Sequence, residues 1–317
     1  MKYAMVLLLV LSVTLDIFAF KKDPAYRKAR REGAQARMEL RIEDDRGNAV
    51  ADANVSVFMG MNLRERGYWI KGSTDTNGIF VVTGKTCGDE VEIYLTKEGY
   101  YDSMKKLSFA TMGAEKDVKD GKWQPYGEKQ VIILRHRQNP CAIRIGKGDF
   151  ALTKHLNQWL GFDIQKHDFV HPYGTGDIAD FEVMIEWNGK WLPEYTGMGV
   201  RIRFVIPFSG YYEMPICPES NFKGPYVADA KKNFHQAATF DEKVDASMNR
   251  TGHHLDKNKC WVVRSRCKVD INGELISANY SVVHKIRFCG EPNGEGGVGI
   301  MGAFNPTPND TNLEPKQ

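Results

Sequence analysis

The sequence predicts an all-β protein made of two β-rich parts, and three observations lead to this class. Between residues 37 and 135, short segments alternate apolar with charged residues, and turn residues separate them without a helical period. About seven such segments within a hundred residues are typical of a β-sandwich. Residues 141–317 are also rich in strand patterns, and Asn272-Gly273 joins two of them as a predicted hairpin.

The strands of the first part follow from a period of two. Met38, Leu40 and Ile42 alternate with charged residues, which predicts a strand with one buried face. The same kind of pattern returns at four later places, which are Val55 to Val57, Ile79 to Val82, Val91 to Leu95, and Val131 to Leu134. These segments predict the core strands of one sandwich.

The stretch STDTNGIF at residues 73–80 resembles the start of a calcium-binding loop, but it predicts a turn. In an EF-hand register, Ser73 would stand where a carboxylate ligand is needed and Gly84 where the bidentate glutamate is needed. Asn77 and Gly78 both tolerate positive φ, so we expect them to form a two-residue hairpin turn, which Asp75 is placed to cap.

Four separated elements of this part carry a resemblance to a known family. They are GNAVADANVSV at 47–57, TDTNGIF at 74–80, VEI at 91–93 and KEGY at 97–100. Together they resemble a carboxypeptidase regulatory-like domain over residues 37–138. The resemblance implies a transthyretin-like sandwich of seven strands, with a long insertion between Phe109 and Gly127 that extends one loop.

Residues 139–317 are predicted to form a second β-rich domain, which begins at Asn139-Pro140 because proline ends a strand. Phe181–Trp187 and Val200–Ile206 alternate as strands, and Trp261–Val269 pairs with Leu275–Phe288 in the hairpin. This domain is similar to bacterial exported proteins of unknown function. The similar segments are GFDI at 161–164, DFVHPYG at 168–174, GDIADF at 176–181 and NPTPNDTNLE at 305–314.

The first 19 residues predict a signal peptide. Lys2 gives a basic end, Ala4–Leu15 is an apolar core, and small Ala19 is the expected cleavage position. The apolar core is short for a membrane span, and Asp16 interrupts it. The alternative is an uncleaved anchor, but the basic residues that follow oppose an anchor with its body outside. We expect an extracytoplasmic protein (periplasmic, secreted or at the cell surface) with no membrane span after cleavage.

The net charge of +3 is concentrated in a short segment. Residues 20–37 contain seven basic and two acidic residues, whereas residues 38–317 sum to −2. We therefore interpret residues 20–36 as a basic linker. A nucleic-acid-binding protein usually carries its positive charge on the folded contact surface, so we expect no nucleic-acid partner.

The six cysteines permit disulfides in an exported protein but form no C-x-x-C pair. A redox motif and a zinc knuckle are therefore not indicated. Pairing across a two-residue turn would place Cys267 opposite Ala278 and Cys260 opposite Lys285, so we expect no disulfide within the hairpin.

No motif for catalysis or cofactor binding occurs with the flanking sequence that it requires. The segment GVGIMG at 297–302 matches G-x-G-x-x-G, but loop-forming residues precede it and prolines follow it, so we interpret it as a glycine-rich loop leading into a last strand. None of the histidines precedes a glutamate by three residues, so a zinc carboxypeptidase site is not indicated. The G-x-S-x-G motif is absent. We therefore assign no catalytic residue and no cofactor.

Two clusters have the character of metal ligands, although we assign no metal site. His167 and His171 would lie too far apart on one strand to share an ion unless a turn at Pro172 brings them together, with His155 and Asp168 nearby. Asp163, Asp168, Asp177 and Asp180 are oxygen ligands of the kind that calcium prefers. Surface or core side chains are the alternative for both clusters.

Candidate binding residues are the aromatic side chains around the Asn188-Gly189 turn, namely Trp187, Trp191 and Tyr195. Exposed aromatic rings on loops stack against sugar rings or contact protein partners, although core packing is the alternative. We thus expect an exported non-enzymatic binding or structural protein with a carbohydrate or protein ligand. The alternative is an extracytoplasmic glycan hydrolase whose two carboxylates lie in the C-terminal half.

Overall fold

The computed structural model describes residues 23–60, 67–109, 117–151, 155–187, 198–244, 250–253, 255–290 and 296–316. The all-β class is confirmed, since strands make up most of the regular structure in these ranges. Among the same residues, α1 (Pro24–Glu32) is the only helix, and it lacks the length and hydropathy needed to span a bilayer. The expected signal peptide at 1–19 lies outside the described residues.

Internal contacts divide the chain into two units. Unit 1 is Met1–His136 with Glu219–Asn221, and unit 2 is Arg137–Pro218 with Phe222–Gln317. The division falls two residues before the boundary expected from the sequence. The short segment Glu219–Asn221 belongs to unit 1 because Ser220 forms an antiparallel bridge with Ser103, and the amide of Met104 donates to the carbonyl of Glu219 at 2.8 Å.

The described strands of unit 1 are β1 (Ala34–Glu43), β2 (Asn54–Met59), β3 (Tyr68–Ser73), β4 (Ile79–Thr86), β5 (Glu90–Thr96), β6 (Ser103–Ser108), β7 (Val118–Lys119), β8 (Lys122–Trp123) and β9 (Glu128–Ile133). They form two sheets, one with the order β4-β1-β8-β7 and with β9 also on β1, and the other with the order β3-β2-β5-β6. Seven of these described strands have six or more residues, and β7 and β8 form a short hairpin within the expected insertion.

The core of unit 1 follows from the alternation seen in the sequence. Each strand directs every second side chain between the two sheets. The sheet of β1 contributes Met38, Leu40, Ile42, Val82 and Ile132, and the sheet of β2 contributes Val55, Val57, Met59, Val91, Ile93 and Leu95. All eleven are almost fully buried.

The interpretation of residues 20–36 as a linker is wrong for the part that the structure describes. Residues 24–32 form α1, and β1 begins at Ala34. Tyr26 and Ala29 lie three apart, so they share one helix face and are buried in the core of unit 1. The Tyr26 hydroxyl donates to Asp89 at 2.6 Å, and the Tyr26 ring meets Trp123 edge-on at 5.8 Å. The four basic residues of α1 are therefore exposed on a helix whose other face is anchored in the core.

The described strands of unit 2 are β10 (Arg144–Ala151), β11 (Leu160–Asp163), β12 (Asp168–Phe169), β13 (Phe181–Trp187), β14 (Met198–Arg203), β15 (Gly210–Pro215), β16 (Ala237–Val244), β17 (Arg250–His253), β18 (Lys259–Val269), β19 (Leu275–Gly290) and β20 (Gly296–Phe304). They form two sheets, with the orders β10-β20-β19-β18-β15 and β12-β11-β13-β14-β16-β17. The pairings between these strands are antiparallel.

The two sheets of unit 2 pack face to face around one hydrophobic cluster. Phe162, Phe181 and Val183 come from the six-stranded sheet, and Trp261 and Ile300 come from the five-stranded sheet. The opposite face of the five-stranded sheet is covered by two irregular segments, which contribute Ala228, Phe234 and Leu313 to a second cluster. This sheet is therefore apolar on both faces.

The predicted hairpin between β18 and β19 is present, but its turn chemistry differs from the prediction. Only Gly273 has positive φ, at 82°, and the loop has three residues because the amide of Asp270 donates to the carbonyl of Glu274. The loop at Asp75 has the same geometry, with Gly78 alone at positive φ of 73°. One Oδ1 oxygen of each aspartate accepts the amides two and four residues later at 2.8–2.9 Å. The aspartate thus fixes a three-residue loop, and asparagine need not be left-handed.

The three-residue loop also changes the expected strand register. Trp261 pairs with Val283, one residue away from the pairing that a two-residue turn would give, so the predicted pair Cys260–Lys285 is wrong. A bulge follows Ser265, where Arg266 and Cys267 together stand opposite Ala278. Arg266 has positive φ of 52° at this bulge. The bulge alters the direction of the Arg266 side chain.

Candidate ligand-binding face

The aromatic residues predicted to bind ligand lie almost entirely outside the part of the chain that the structure describes. Trp187 is the last residue of β13. Its side chain, and the whole of Trp191 and Tyr195, lie outside the described residues. The prediction for these three residues therefore stays a prediction.

The histidines and aspartates with ligand character form structural contacts. His155 packs edge-on against Tyr173 at 4.7 Å, and Nε2 of His167 lies 3.1 Å from the carbonyl oxygen of Gly302. Burial lowers the pKa of His167. Asp168 accepts the amide and hydroxyl of Thr175 at 2.8 and 2.7 Å. Within the described ranges, no group of three or more such residues is arranged to hold a metal ion.

Asp163 and Asp180 belong to a buried ion-pair network with Arg266. Nη2 of Arg266 donates to Asp163 at 2.8 Å, and Nε donates to Asp180 at 2.9 Å. Oδ2 of Asp163 accepts two backbone amides, and Oδ2 of Asp180 accepts the amide of Ile164. Burial raises the pKa of Asp180, although its bonds from Arg266 and Ser265 act in the opposite direction. Both carboxylates are engaged by donors, so this network links separate strands of unit 2 and is not an open acid–base pair.

The G-x-G-x-x-G motif lies within β20, so the prediction of a loop there is wrong. Residues 297–302 pair with β19 and β10 on either side, and the irregular segment 305–316 follows the strand. A Cβ on Gly302 would lie 2.7 Å from the carbonyl oxygen of Val282, so this glycine permits close approach of two backbones. The motif lacks the strand–loop–helix arrangement that a pyrophosphate requires.

A different set of aromatic side chains forms an exposed face in unit 1. Trp69 on β3, Phe58 on β2 and Tyr94 on β5 point away from the core, and Met104 on β6 extends the set. Trp69 is 47% exposed, Tyr94 is 37% exposed and Met104 is 39% exposed, whereas Phe58 is partly buried. We call these four residues the aromatic face.

Strand pairing places these residues side by side. Phe58 pairs directly with Trp69, and Tyr94 pairs directly with Met104. The ring centroids of Phe58 and Trp69 are 5.1 Å apart, and those of Trp69 and Tyr94 are 5.5 Å apart. Because strands lie about 4.8 Å apart, the face extends roughly 14 Å across four strands.

Charged and polar groups adjoin the aromatic face. Glu92 lies next to Phe58 in the register of β2 and β5, and it accepts from Nζ of Lys106 at 2.6 Å and from the hydroxyl of Tyr94 at 2.9 Å. The bond from Lys106, and then that from Tyr94, lowers the pKa of Glu92. The bond to Glu92 raises the pKa of both Tyr94 and Lys106. The group therefore stays an ion pair with a neutral phenol at neutral pH.

This arrangement can hold a ligand that has both apolar ring faces and hydroxyl groups. Aromatic side chains supply contact area at a low cost in side-chain entropy, and the adjacent ion pair supplies donors and acceptors. An exposed cluster of large apolar side chains on a sheet is also unusual for a face that contacts only water.

The sequence contained a signal for this face. In β2, the side chains of Val55, Val57 and Met59 face the core, so the alternating Phe58 faces the opposite side of the sheet. Tyr94 is likewise out of phase with the buried Ile93 and Leu95. An aromatic residue at a position where a half-buried strand normally has a polar one indicates an exposed ring. The pairing of β3 with β2, which adds Trp69, required the tertiary structure.

No family model matches the chain, and no curated protein matches it. Among solved structures, it is similar to 3-chlorocatechol 1,2-dioxygenase from Rhodococcus opacus 1CP, with 16% identity over 33% of this chain and 61% of that chain and a TM-score of 0.25. It is also similar to catechol 1,2-dioxygenase from Acinetobacter radioresistens, with 12% identity over 37% and 56% and a TM-score of 0.27. The chain thus spans less than two thirds of either structure. With TM-scores this low, the similarity supports no conclusion about fold or chemistry.

Proposed function

We propose that this chain is an extracytoplasmic, non-enzymatic binding protein that holds a carbohydrate on the aromatic face of unit 1. The exposed cluster of Trp69, Phe58 and Tyr94, beside the Glu92–Lys106 ion pair, carries the proposal. The apolar segment at residues 4–15 supports export. The identification of residues 37–138 as a carboxypeptidase regulatory-like module is part of the same proposal.

Carbohydrate is favoured over a protein ligand because of the mixture of groups on this face. A pyranose ring has an apolar face formed by C–H groups and a rim of hydroxyls, so it matches aromatic rings flanked by charged donors and acceptors. Protein interfaces are usually larger than this patch, with a central apolar core and a polar rim. The glycan-hydrolase alternative receives no support from Asp163 and Asp180, because Arg266 engages both carboxylates.

The proposal is tested by measuring glycan binding to the purified protein and to Trp69→Ala. We expect the wild-type protein to bind soluble glycans in isothermal titration calorimetry, and Trp69→Ala to bind at least tenfold more weakly. Tyr173→Ala is the matched control, since Tyr173 is 44% exposed but lies in unit 2. Its affinity should equal that of the wild type.

Three outcomes would overturn the proposal. Binding that is equal in the wild type and Trp69→Ala would place the ligand elsewhere. A wild-type oligomer that dissociates in Trp69→Ala, measured by sedimentation velocity, would identify the face as a contact between copies of this chain. Turnover of the glycan would show that the protein is an enzyme.

A further inference from the structure

The rings of the aromatic face are tilted relative to one another. The planes of Phe58 and Trp69 form an angle of 54°, and those of Trp69 and Tyr94 form an angle of 57°. The surface of an insoluble, crystalline polysaccharide is flat and requires aromatic rings in a common plane. Rings inclined by more than 50° form no common plane, and this angular surface, which we call the cradle, fits a single sugar chain better than a flat crystal face.

The polar groups are placed to meet hydroxyls beside this cradle. A carboxylate has about four lone-pair sites, and Glu92 uses two bonds internally, one from Lys106 and one from Tyr94. It therefore keeps acceptor capacity for the hydroxyls of a sugar. The outer face of this sheet carries Lys71 and Lys106 as well as Glu90 and Glu92, so its described strands have no excess of positive charge to attract a polyanion.

These two features assign a class of carbohydrate to the site, and the assignment rests on the function proposed above. We infer that the ligand is a single, soluble, neutral glycan chain. One sugar ring stacks on the exposed part of Trp69 beside Tyr94, and a neighbouring hydroxyl donates to Glu92. Insoluble crystalline polysaccharides and uronate polymers are excluded as preferred ligands by the ring angles and by the balance of charge respectively.

The test compares three kinds of carbohydrate with the full protein. The first is a panel of soluble neutral oligosaccharides from cellulose, xylan, mannan and starch, the second is crystalline cellulose and chitin, and the third is polygalacturonate. Titration calorimetry measures the first and third, and co-sedimentation measures the second. We expect affinity for at least one neutral oligosaccharide, and at least tenfold weaker retention by the crystalline and uronate materials.

Two variants test whether a sugar hydroxyl donates to Glu92. Glu92→Gln should weaken binding of the neutral oligosaccharide about fivefold or more, because the amide loses carboxylate acceptor sites. Glu90→Gln is the control, since Glu90 lies on the same face of β5 but pairs with Ser108 and lies further from Tyr94. Its affinity should not change.

The possible failures are distinguishable. Preferred binding to crystalline or uronate material that Trp69→Ala abolishes would overturn this inference and leave the proposed carbohydrate function intact. Equal weakening by Glu92→Gln and Glu90→Gln, or no weakening by Glu92→Gln, would overturn the role of Glu92. Lack of binding to all three materials would overturn both the inference and the proposed function.

Discussion

The guanidinium group of Arg266 donates from Nε to the buried Oδ1 of Asp180 at 2.9 Å. The hydroxyl of the neighbouring Ser265 donates to the same oxygen, although Ser265 lies 85 residues after Asp180 in the chain. The bulge in β18 makes this possible. In a regular strand Ser265 and Arg266 would point to opposite faces, but at the bulge both reach Asp180. The same guanidinium group stacks over the ring of Phe304 at 4.3 Å.

Removing Arg266 should destabilise unit 2 strongly. Arg266→Met would leave Asp163 and Asp180 buried without their cation, and loss of one partner of a buried pair costs about 3–5 kcal/mol. We expect this loss in the free energy of unfolding measured by urea denaturation. Arg201→Met is the control, because Arg201 forms a half-exposed pair with Glu186, and such pairs contribute only about 0–1 kcal/mol. Similar losses for both variants would contradict the assignment of Arg266 as a buried structural cation.

Tyr68 should stabilise the edge of unit 1 through its hydroxyl. This hydroxyl accepts from the amide of Lys85 at 2.9 Å and donates to the carbonyl of the same residue at 3.0 Å. Since β4 is the outer strand of its sheet, the hydroxyl takes the place of a neighbouring strand. Tyr68→Phe should lower the free energy of unfolding by about 0.5–1.5 kcal/mol for each of the two hydrogen bonds that are lost.

The measurement for Tyr68 is chemical denaturation of Tyr68→Phe beside Tyr94→Phe. Among the described residues, the Tyr94 hydroxyl bonds to the exposed side chain of Glu92 and not to the backbone, so its loss should cost less. A larger effect of Tyr94→Phe would show that the Tyr68–Lys85 bonds do not stabilise this edge.

Gly302 should not tolerate a side chain. A Cβ there would lie 2.7 Å from the carbonyl oxygen of Val282, and a backbone atom in a paired strand cannot move away easily. We expect Gly302→Ala to lower the melting temperature, with a cost of about 1–3 kcal/mol for overpacking. Gly199→Ala is the control, because its Cβ would meet nothing closer than 3.6 Å in a strand of the other sheet. A melting temperature for Gly302→Ala at or above that of Gly199→Ala would contradict this reasoning.

His284 should make unit 2 sensitive to mild acid. Burial, and then the charge of Lys223, lowers the pKa of His284 to about 4 from its usual 6.5, and Nδ1 has no hydrogen-bond partner among the described residues. The unfolded chain therefore binds a proton more readily than the folded chain between these two pH values. Stability should fall as the pH falls from about 6.5 to 4, by on the order of 3 kcal/mol in total, and should then level off for this group.

The check is urea denaturation at several pH values for the wild type and His284→Gln. The variant should lose this part of the slope between pH 6.5 and 4, whatever its stability at pH 7. His136→Gln is the control, because it removes an exposed histidine of unit 1 and leaves His284 in place. An unchanged slope in His284→Gln would show that His284 is not the responsible group.

Local pattern was sufficient to predict the fold class and much of the strand content. The buried phase of Val91, Ile93 and Leu95 is visible in the sequence because period-two alternation is a property of a single strand. Gly78 and Gly273 were correctly expected to have positive φ, although the aspartate three residues earlier sets the loop length. The same alternation places Phe58 and Tyr94 on the face opposite the core.

The sequence by itself thus determined the all-β class, the hairpin of unit 2 and the side-chain phase of most core strands. Only the tertiary structure decided which residues meet: Trp69 beside Phe58 and Tyr94, and Arg266 between Asp163 and Asp180. The physical reason is that such contacts depend on strand pairing, on register and on one bulge. These are set by the packing of whole sheets, and no local segment specifies them.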